Sequence, residues 1–520
     1  MLPALLKAIT RLAKRREPGS PSRNAPVGDS LVAHELQRAK VFATRGDLAA
    51  AKEVYEKVLS RDAHCHAALV GIGIVHARKH EYADAASVLE RAVERQPAAV
   101  DAINALANVY QLQRRFDDAE KLYRGALLAA PDDPMLWVNL GLCLLDAGQQ
   151  TAARIALRRA IEIAPDHAGV LLNIGMSAID LGERDEAERC LRRALDINPA
   201  LAEAHTGLAH LLLQRGDFDA GWRHYEWRFR CEDAELHQPY PIPEWDGRSI
   251  AKQTLLVRAE QGVGDQIMMA SCLPDAMERV GACIVECHPY LVPLFARAYA
   301  RARVYPYRRK QRAEWAVETP QPDFQVHIGS LPRLLRRRPS DFPAHSGYLS
   351  ADPARVAHWR RKLDDLGPRV KIGISWRGGA PRTRQTLRSV ALDEWLPVLR
   401  CANAAFVSLQ YGDCTAELAR TQRKSGVVIH HWQDAIDDYD ETAALITALD
   451  QVISVQTAVV HLAGALAIPT WALVPAVPEW RYMASGDAMP WYPAVTILRQ
   501  QRRGIWGPVM DDVAAKVVGL

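Results

Sequence analysis

Residues 116–165 read FDDAEKLYRGALLAAPDDPMLWVNLGLCLLDAGQQTAARIALRRAIEIAP, and four features in this stretch recur at one fixed spacing. Pro131 and Pro165 are 34 residues apart, and Pro97 and Pro199 extend the series in both directions. An alanine stands 12 residues before each proline, as Ala85, Ala119, Ala153 and Ala187, with Ala51 one period earlier. Small residues keep a third phase (Gly73, Ala107, Gly141, Gly175, Ala209) and bulky ones a fourth (Tyr55, Leu89, Tyr123, Leu157, Leu191, Tyr225). Such a pattern describes pairs of antiparallel helices. The small positions allow close approach, and each proline stops the second helix because it can neither donate the next hydrogen bond nor fit the turn.

A 34-residue period of this kind is the tetratricopeptide pattern. It predicts six units with bounds near 32–65, 66–99, 100–133, 134–167, 168–201 and 202–235, the first and last degenerate as solenoid caps tend to be. The first helix of each unit should line a concave groove. Asn139 and Asn173 share one repeat position, and Asn108 lies nearby in the preceding unit. An amide side chain donates and accepts together, so a column of asparagines suits an extended peptide backbone. This column resembles the asparagine-lined groove of O-GlcNAc transferase.

Composition sets the outer bounds. At 520 residues, with 49% apolar and 24% charged residues, the chain is neither disordered, collagen-like nor a multi-span membrane protein. A net charge of +4 is small for this length and calls for no nucleic-acid partner. Nine scattered cysteines without a Cys-x-x-Cys pair read as reduced thiols of a cytoplasmic protein. Cys283, Cys287 and His288 read as the end of a buried strand, not as a metal site. Residues 1–31 form a basic N-terminal segment. Its amphipathic start leaves loose contact with an anionic membrane surface open. The apolar run Thr457–Val477 is long enough for a membrane span, but Pro469 splits it into a helical half and a strand half, as in buried α/β units.

After Arg230 the period disappears, and Pro239, Pro241 and Pro243 mark a linker. Strand candidates Thr254–Ala259, Ala282–Cys287, Phe324–Ile328, Val370–Trp376, Ala405–Leu409, Val427–His430, Gln451–Val455 and Trp471–Val474 alternate with helical patterns. These include Leu392–Arg400, Thr415–Arg423, Thr442–Leu449 and Val459–Ala467. Alternation of this kind means parallel sheets. A charged, proline-containing break divides the region into 236–350 and 351–520, two Rossmann-like lobes of an α/β fold.

Three motifs carry chemistry. Glu260-Gln261-Gly262-Val263-Gly264-Asp265 ends a strand and opens a helix. Its third dinucleotide-fingerprint glycine is replaced by Ile267, so NAD binding is not the reading. A close-approach turn at Gly262 and Gly264 with a carboxylate at Asp265 remains, although Asp265 also suits a helix cap. Ser375-Trp376-Arg377-Gly378-Gly379 leads to Arg382, Arg384 and Arg388, a guanidinium cluster fit for phosphate. The third is Gln456-Thr457-Ala458-Val459-Val460-His461-Leu462, where a strand yields to a helix whose amino end favours an anion. No Gly-x-x-x-x-Gly-Lys-[Ser/Thr] sequence occurs, which excludes a P-loop.

With Thr442–Leu445, Pro478-Glu479-Trp480-Arg481 and Pro490-Trp491-Tyr492-Pro493, these motifs resemble the glycosyltransferase half of bacterial tetratricopeptide–glycosyltransferase fusions, flagellin glycosyltransferases among them. That half is similar to the lipopolysaccharide heptosyltransferases, of GT-B fold. The resemblance implies Asp265 as general base, and a donor site at Gln456, Thr457, Ala458 and His461. Glutamine stands at 456 where the family has aspartate. Gln410, after the second strand of the second half, is implied at the nucleotide.

The expected protein is therefore a repeat solenoid followed by a GT-B unit. It would move a sugar from a nucleotide-sugar donor to a protein acceptor, flagellin being one candidate, with inversion and without a metal or other cofactor. Leaving phosphate would rest on the helix start at Thr457–Ala458 and on Arg377 and Arg388. No Asp-x-Asp stands at a strand end; Asp437-Asp438 and Asp511-Asp512 are adjacent pairs. Two alternatives stay open: a non-catalytic repeat adaptor with a degenerate transferase half, and transfer to a surface polysaccharide or lipid.

Overall fold

The computed structural model describes residues 27–231, 240–308, 315–318, 321–379 and 387–520. The described residues form two compact units, one of those within 27–178 and 185–200, the other of those within 179–184 and 201–520.

In the first unit the repeat expectation holds pair by pair. The helices are Val27–Thr44 with Leu48–Arg61, His66–Arg78 with Tyr82–Arg95, Val100–Leu112 with Phe116–Ala129, and Pro134–Asp146 with Gln150–Ile163, followed by Ala168–Leu181 and Arg184–Ile197. Pro97, Pro131, Pro165 and Pro199 each fall two residues beyond the end of a second helix. The residue before a proline is pushed out of helical geometry, so the chain must turn there. The small and bulky phases prove to be two sides of one contact. A Cβ on Gly73 would sit 2.5 Å from Leu89 Cγ, one on Gly141 2.7 Å from Leu157 Cγ, and one on Gly175 2.8 Å from Leu191 Cγ. Ala51, Ala85, Ala119, Ala153 and Ala187 are all fully buried. Two registers of the repeat are thus the same packing rule written twice.

The sixth pair, Ala202–Arg215 and Phe218–Tyr225, forms as read but does not behave as a polar cap. It belongs to the second compact unit, although the repeat pattern runs on to residue 235. Phe218, Trp222 and Tyr225 are buried in that unit's core, and Trp222 Nε1 donates to the Arg336 carbonyl at 2.9 Å. Gln214 Nε2 donates to the Pro478 carbonyl at 2.9 Å. Large aromatics on the outward face demand cover, which the α/β region supplies.

That region holds two sheets. Strands β1 (Ile250–Arg258), β2 (Val280–Cys287), β3 (Ala302–Pro306) and β4 (Phe324–His327) form an all-parallel sheet in the order β3-β2-β1-β4. Strands β5 (Val370–Ser375), β6 (Ala404–Ser408), β7 (Ile429–His430), β8 (Gln451–Val455), β9 (Thr470–Val474), β10 (Ala488–Met489) and β11 (Tyr492–Arg499) form the second, in the order β10-β11-β9-β8-β5-β6-β7. Only β10 and β11 pair antiparallel there. Sequence reading omitted β3, β10 and β11. All lie toward sheet edges, and β3 and β11 carry prolines and exposed polar positions instead of apolar runs. Cys283 and Cys287 lie buried in β2 as expected, and all nine cysteines are free thiols. The run from Thr457 to Val477 is the helix Ala458–Ala465 and β9, both buried; among the described residues no helix is long and apolar enough to cross a membrane.

Gly141→Val should destabilise the first unit by about 1–3 kcal/mol, because the added methyls enter space held by Leu157. Urea unfolding monitored by circular dichroism measures the loss. Adding Leu157→Ala in the same chain should recover part of it, since it vacates the contested volume.

Candidate functional site

The carboxyl ends of β1 and β8 carry the two loops that define the site. In parallel α/β sheets ligands collect at this edge, where strand order reverses. After β1, Glu260 is buried and forms an ion pair with Arg228 (Oε1 to Nη2, 2.6 Å) from the turn that follows the sixth repeat. Glu260 Oε1 also accepts from the Gly329 N–H at 2.9 Å. This anchor sets the base of the glycine turn. Gln261 then adopts φ +66°, a left-handed conformation that costs a non-glycine residue about 1–2 kcal/mol and survives only where surroundings enforce it. Gly262 precedes the helix Val263–Ala270.

Gly264 is where the two loops meet. A Cβ there would lie 3.0 Å from His461 Cδ2 and 3.3 Å from Ala458 Cα. The start of the Val263–Ala270 helix thus touches the start of the Ala458–Ala465 helix, closely enough that a larger residue at 264 would crowd both. Asp265, one residue on, is partly buried and accepts a 2.6 Å hydrogen bond from Arg481 Nε on its Oδ1. Arg481 Nη2 reaches the same oxygen, and Oδ2 accepts no hydrogen bond among the described residues. The Arg481 guanidinium also lies over the Trp480 ring, 4.7 Å from its centroid.

On the second sheet, Thr457 caps the Ala458–Ala465 helix: its hydroxyl accepts from the Val459 N–H at 3.2 Å and lies 3.1 Å from Ser454 Oγ. Gln456 is completely buried, and neither atom of its amide has a hydrogen-bond partner among the described residues. An orphaned buried amide costs roughly 1–3 kcal/mol, and such groups mark places where something else completes the bonding. Arg388 Nη2 donates to the Gln456 carbonyl at 2.6 Å, which holds the guanidinium at the helix start. His461 is buried with Nδ1 3.1 Å from the Tyr492 hydroxyl. Burial pushes its pKa down to about 3, against the pull of Asp265 and with help from the Arg481 and Arg388 charges. The imidazole is therefore neutral near pH 7.

Other expected site residues take structural roles. Gln410 spends its amide inside the protein: Oε1 accepts from the Trp376 and Arg377 N–H groups at 3.0 and 2.8 Å, and Nε2 donates to the Arg377 and Tyr411 carbonyls. It ties the ends of β5 and β6 together. Arg377 pairs with Glu417 at 3.0 Å and donates to the Asp413 carbonyl. Arg382 and Arg384 lie outside the described residues. In the first unit, Asn108 is buried and its Oδ1 accepts from the enclosed Tyr123 hydroxyl at 2.8 Å, which takes it out of the groove column. Asn173 Nδ2 turns back to the Gly169 carbonyl of its own helix. Asn139 instead donates to Asn104 Oδ1 at 2.8 Å. Asn104 borders a groove of about 710 Å³ with Lys40, His66, Val70 and Met135, all on first helices of their pairs. Sequence reading missed Asn104 because it sits one residue off the repeat register.

Arg481 was also missed as a functional residue. The Pro478–Arg481 motif signalled it, but nothing local says which carboxylate it meets 216 positions away. His210, on the sixth repeat, joins the same surroundings by stacking on Trp480 at 6.4 Å, and burial pushes it down to about 4.

Helix pairs at a 34-residue period, joined to an α/β unit of two sheets of parallel strands, define a tetratricopeptide-repeat protein with an appended α/β unit. A family model for the Cilia and flagella-associated protein 70 C-terminal domain matches residues 2–234. Protein FlbA of Caulobacter vibrioides is 32% identical over 438 residues, which cover 81% of this chain and 73% of FlbA. The chain belongs to the FlbA family, and an overlap of that length runs through the repeats and into the sheets. The BBSome complex member BBS4 of Bos taurus is 28% identical over 125 residues, 24% of each chain. Protein O-mannosyl-transferase TMTC1 of Mus musculus is 30% identical over 131 residues, 24% of this chain and 14% of TMTC1. Among solved structures, TTC0263, a thermophilic TPR protein of Thermus thermophilus, is 19% identical, with a TM-score of 0.33 over 35% of this chain and 99% of that one.

Because His461 ionises near its ordinary value when unfolded but only near pH 3 when folded, the unfolded state binds the extra proton between these limits. Stability of the second unit should therefore fall as pH drops from about 6.5 toward 3, by up to about 1.4 kcal/mol per pH unit from this residue. Urea unfolding at pH 5.0 and 7.5 checks it; His461→Gln should show a shallower dependence than the parent chain.

Proposed function

We propose that the second unit is an inverting glycosyltransferase of GT-B architecture that uses a nucleotide sugar, and that the repeats hold its protein acceptor. The single observation that carries this reading is the contact of Gly264 with Ala458 and His461. It brings the start of the helix bearing Asp265 against a capped helix start, 193 positions on in sequence. Transfer needs a base where the acceptor oxygen attacks and positive charge where the phosphate leaves.

In this reading the acceptor hydroxyl gives its proton to Asp265 Oδ2 as its oxygen attacks the anomeric carbon. The bond to the nucleotide phosphate breaks on the opposite side, and the phosphate takes the electron pair. The amino end of the Ala458–Ala465 helix and Arg388 face the charge that develops there. Gln456 supplies an amide whose two bonding positions are unfilled, suited to a hydroxyl or phosphate oxygen and a neighbouring donor. Support for a protein acceptor comes from the Asn104–Asn139 pair and its groove in the first unit. The name of TMTC1, a protein O-mannosyl-transferase, and that of BBS4, a member of a complex, point the same way.

A second reading, a repeat adaptor without catalysis, draws on the Arg481 contacts that occupy Asp265 Oδ1. The two separate in one assay. Incubation of the full chain with UDP-, ADP-, GDP- and CMP-sugars and bacterial extract as acceptor source should release nucleotide and label protein with at least one donor. Asp265→Ala should keep the fold and lower that rate by about 10²–10⁴-fold. Near-normal turnover in the variant would discard the base assignment. Label found on polysaccharide or lipid alone would move the acceptor away from protein.

A further inference from the structure

The Asp265–Arg481 pair is hard to reconcile with a simple base, and its surroundings say what it is for. Two guanidinium nitrogens converge on one carboxylate oxygen in a largely enclosed site. The backbone carrying Arg481 is held at both ends by the sixth repeat: Gln214 Nε2 donates to the Pro478 carbonyl at 2.9 Å, and the Ala484 N–H donates to the Gln214 carbonyl at 2.7 Å. Met483, between these anchors, adopts φ +59°, so the segment is locked in a conformation that its sequence does not favour. Among the described residues, the side chain is held by the carboxylates of Asp265 and Glu479 (Nη1 to Oε2, 3.9 Å) and by the face of Trp480. A fixed backbone with a charge-held fork is the arrangement from which a guanidinium can exchange one anion for another without moving the chain. Arginine suits this exchange because its planar fork fits carboxylate and phosphate alike.

We propose that Arg481 changes partners when donor binds: it leaves Asp265 for the nucleotide phosphate, so that arrival of the donor is what frees the base. This rests on the sugar-transfer reading above and adds a catalytic residue to it. Before donor arrives, the guanidinium neutralises Asp265 and keeps an isolated anion from being buried, which would otherwise be costly. With donor present, the phosphate draws Arg481 away and the Asp265 carboxylate regains both oxygens. The acceptor O–H proton then passes to Asp265, the new C–O bond forms at the anomeric carbon, and the C–O bond to phosphate breaks. Its electron pair stays on the phosphate oxygen, against Arg481. The base is thus freed of its paired cation only when a leaving group is in place.

Binding of UDP, GDP, ADP and CMP to the full-length protein, each measured by calorimetry, tests the exchange. If the closed pair competes with phosphate, Asp265→Asn removes the competitor, and the nucleotide that binds the parent chain should bind this variant about tenfold more tightly. Arg481→Gln should weaken the same nucleotide by a similar factor. Equal affinity in the parent chain and Asp265→Asn would overturn the exchange while leaving the transferase reading standing. Failure of the parent chain to bind any of the four would remove both. Should either variant fail to fold, crystals of the parent chain with the bound nucleotide decide. Arg481 within hydrogen-bond distance of phosphate oxygens and parted from Asp265 Oδ1 supports the exchange, and an unbroken pair beside the nucleotide overturns it.

Discussion

The candidate site depends on a close approach that glycine eases at position 264. A Cβ there would stand 3.0 Å from His461 Cδ2 and 3.3 Å from Ala458 Cα, a tight contact. Two helices that follow strands of different sheets can therefore begin side by side. A methyl group at 264 would require those starts to give by a few tenths of an ångström. The turn before it is held by equally specific means. The buried Arg228–Glu260 pair ties it to the end of the repeats, and the left-handed Gln261 completes the bend. Breaking such a pair by removing one partner leaves an uncompensated buried charge, a loss of about 3–5 kcal/mol.

Electrostatics at the site follows from burial. Burial keeps His461 and His210 neutral near pH 7, so fixed charge there comes from guanidinium groups and carboxylates. Arg481 and Asp265 neutralise each other, Arg388 rests on the Gln456 carbonyl, and Glu260 is matched by Arg228. Among the described residues, both atoms of the fully buried Gln456 amide are without a hydrogen-bond partner. Such a group is tolerated where a ligand completes it.

The sixth helix pair connects repeat chemistry to sheet chemistry. Its Trp222 and Tyr225 face into the α/β core, its Gln214 holds the segment bearing Arg481, and the turn after it supplies Arg228. By sequence it is the last repeat. By packing it is a wall of the candidate site, because aromatic residues at its outward positions cannot be left to water.

Sequence by itself determined what is local or periodic: the helix pairs, their proline stops, the phases of small and bulky residues, and the central strands with their glycine-rich and small-residue turns. These follow from repeat spacing and apolar runs, which act over one or two helical turns. Strands β3, β10 and β11 escaped because they are short or proline-bearing and show no unbroken apolar run. The internal partners of Asn108, Gln410 and Arg377 were not legible, because residue type and spacing show what a side chain can bond, not which partner reaches it first. Only the tertiary structure decided that Tyr123 would claim Asn108, that Gln410 would bind backbone, and that Arg481 would meet Asp265. Those partners are brought together by chain packing over long sequence separations, and no local pattern records them.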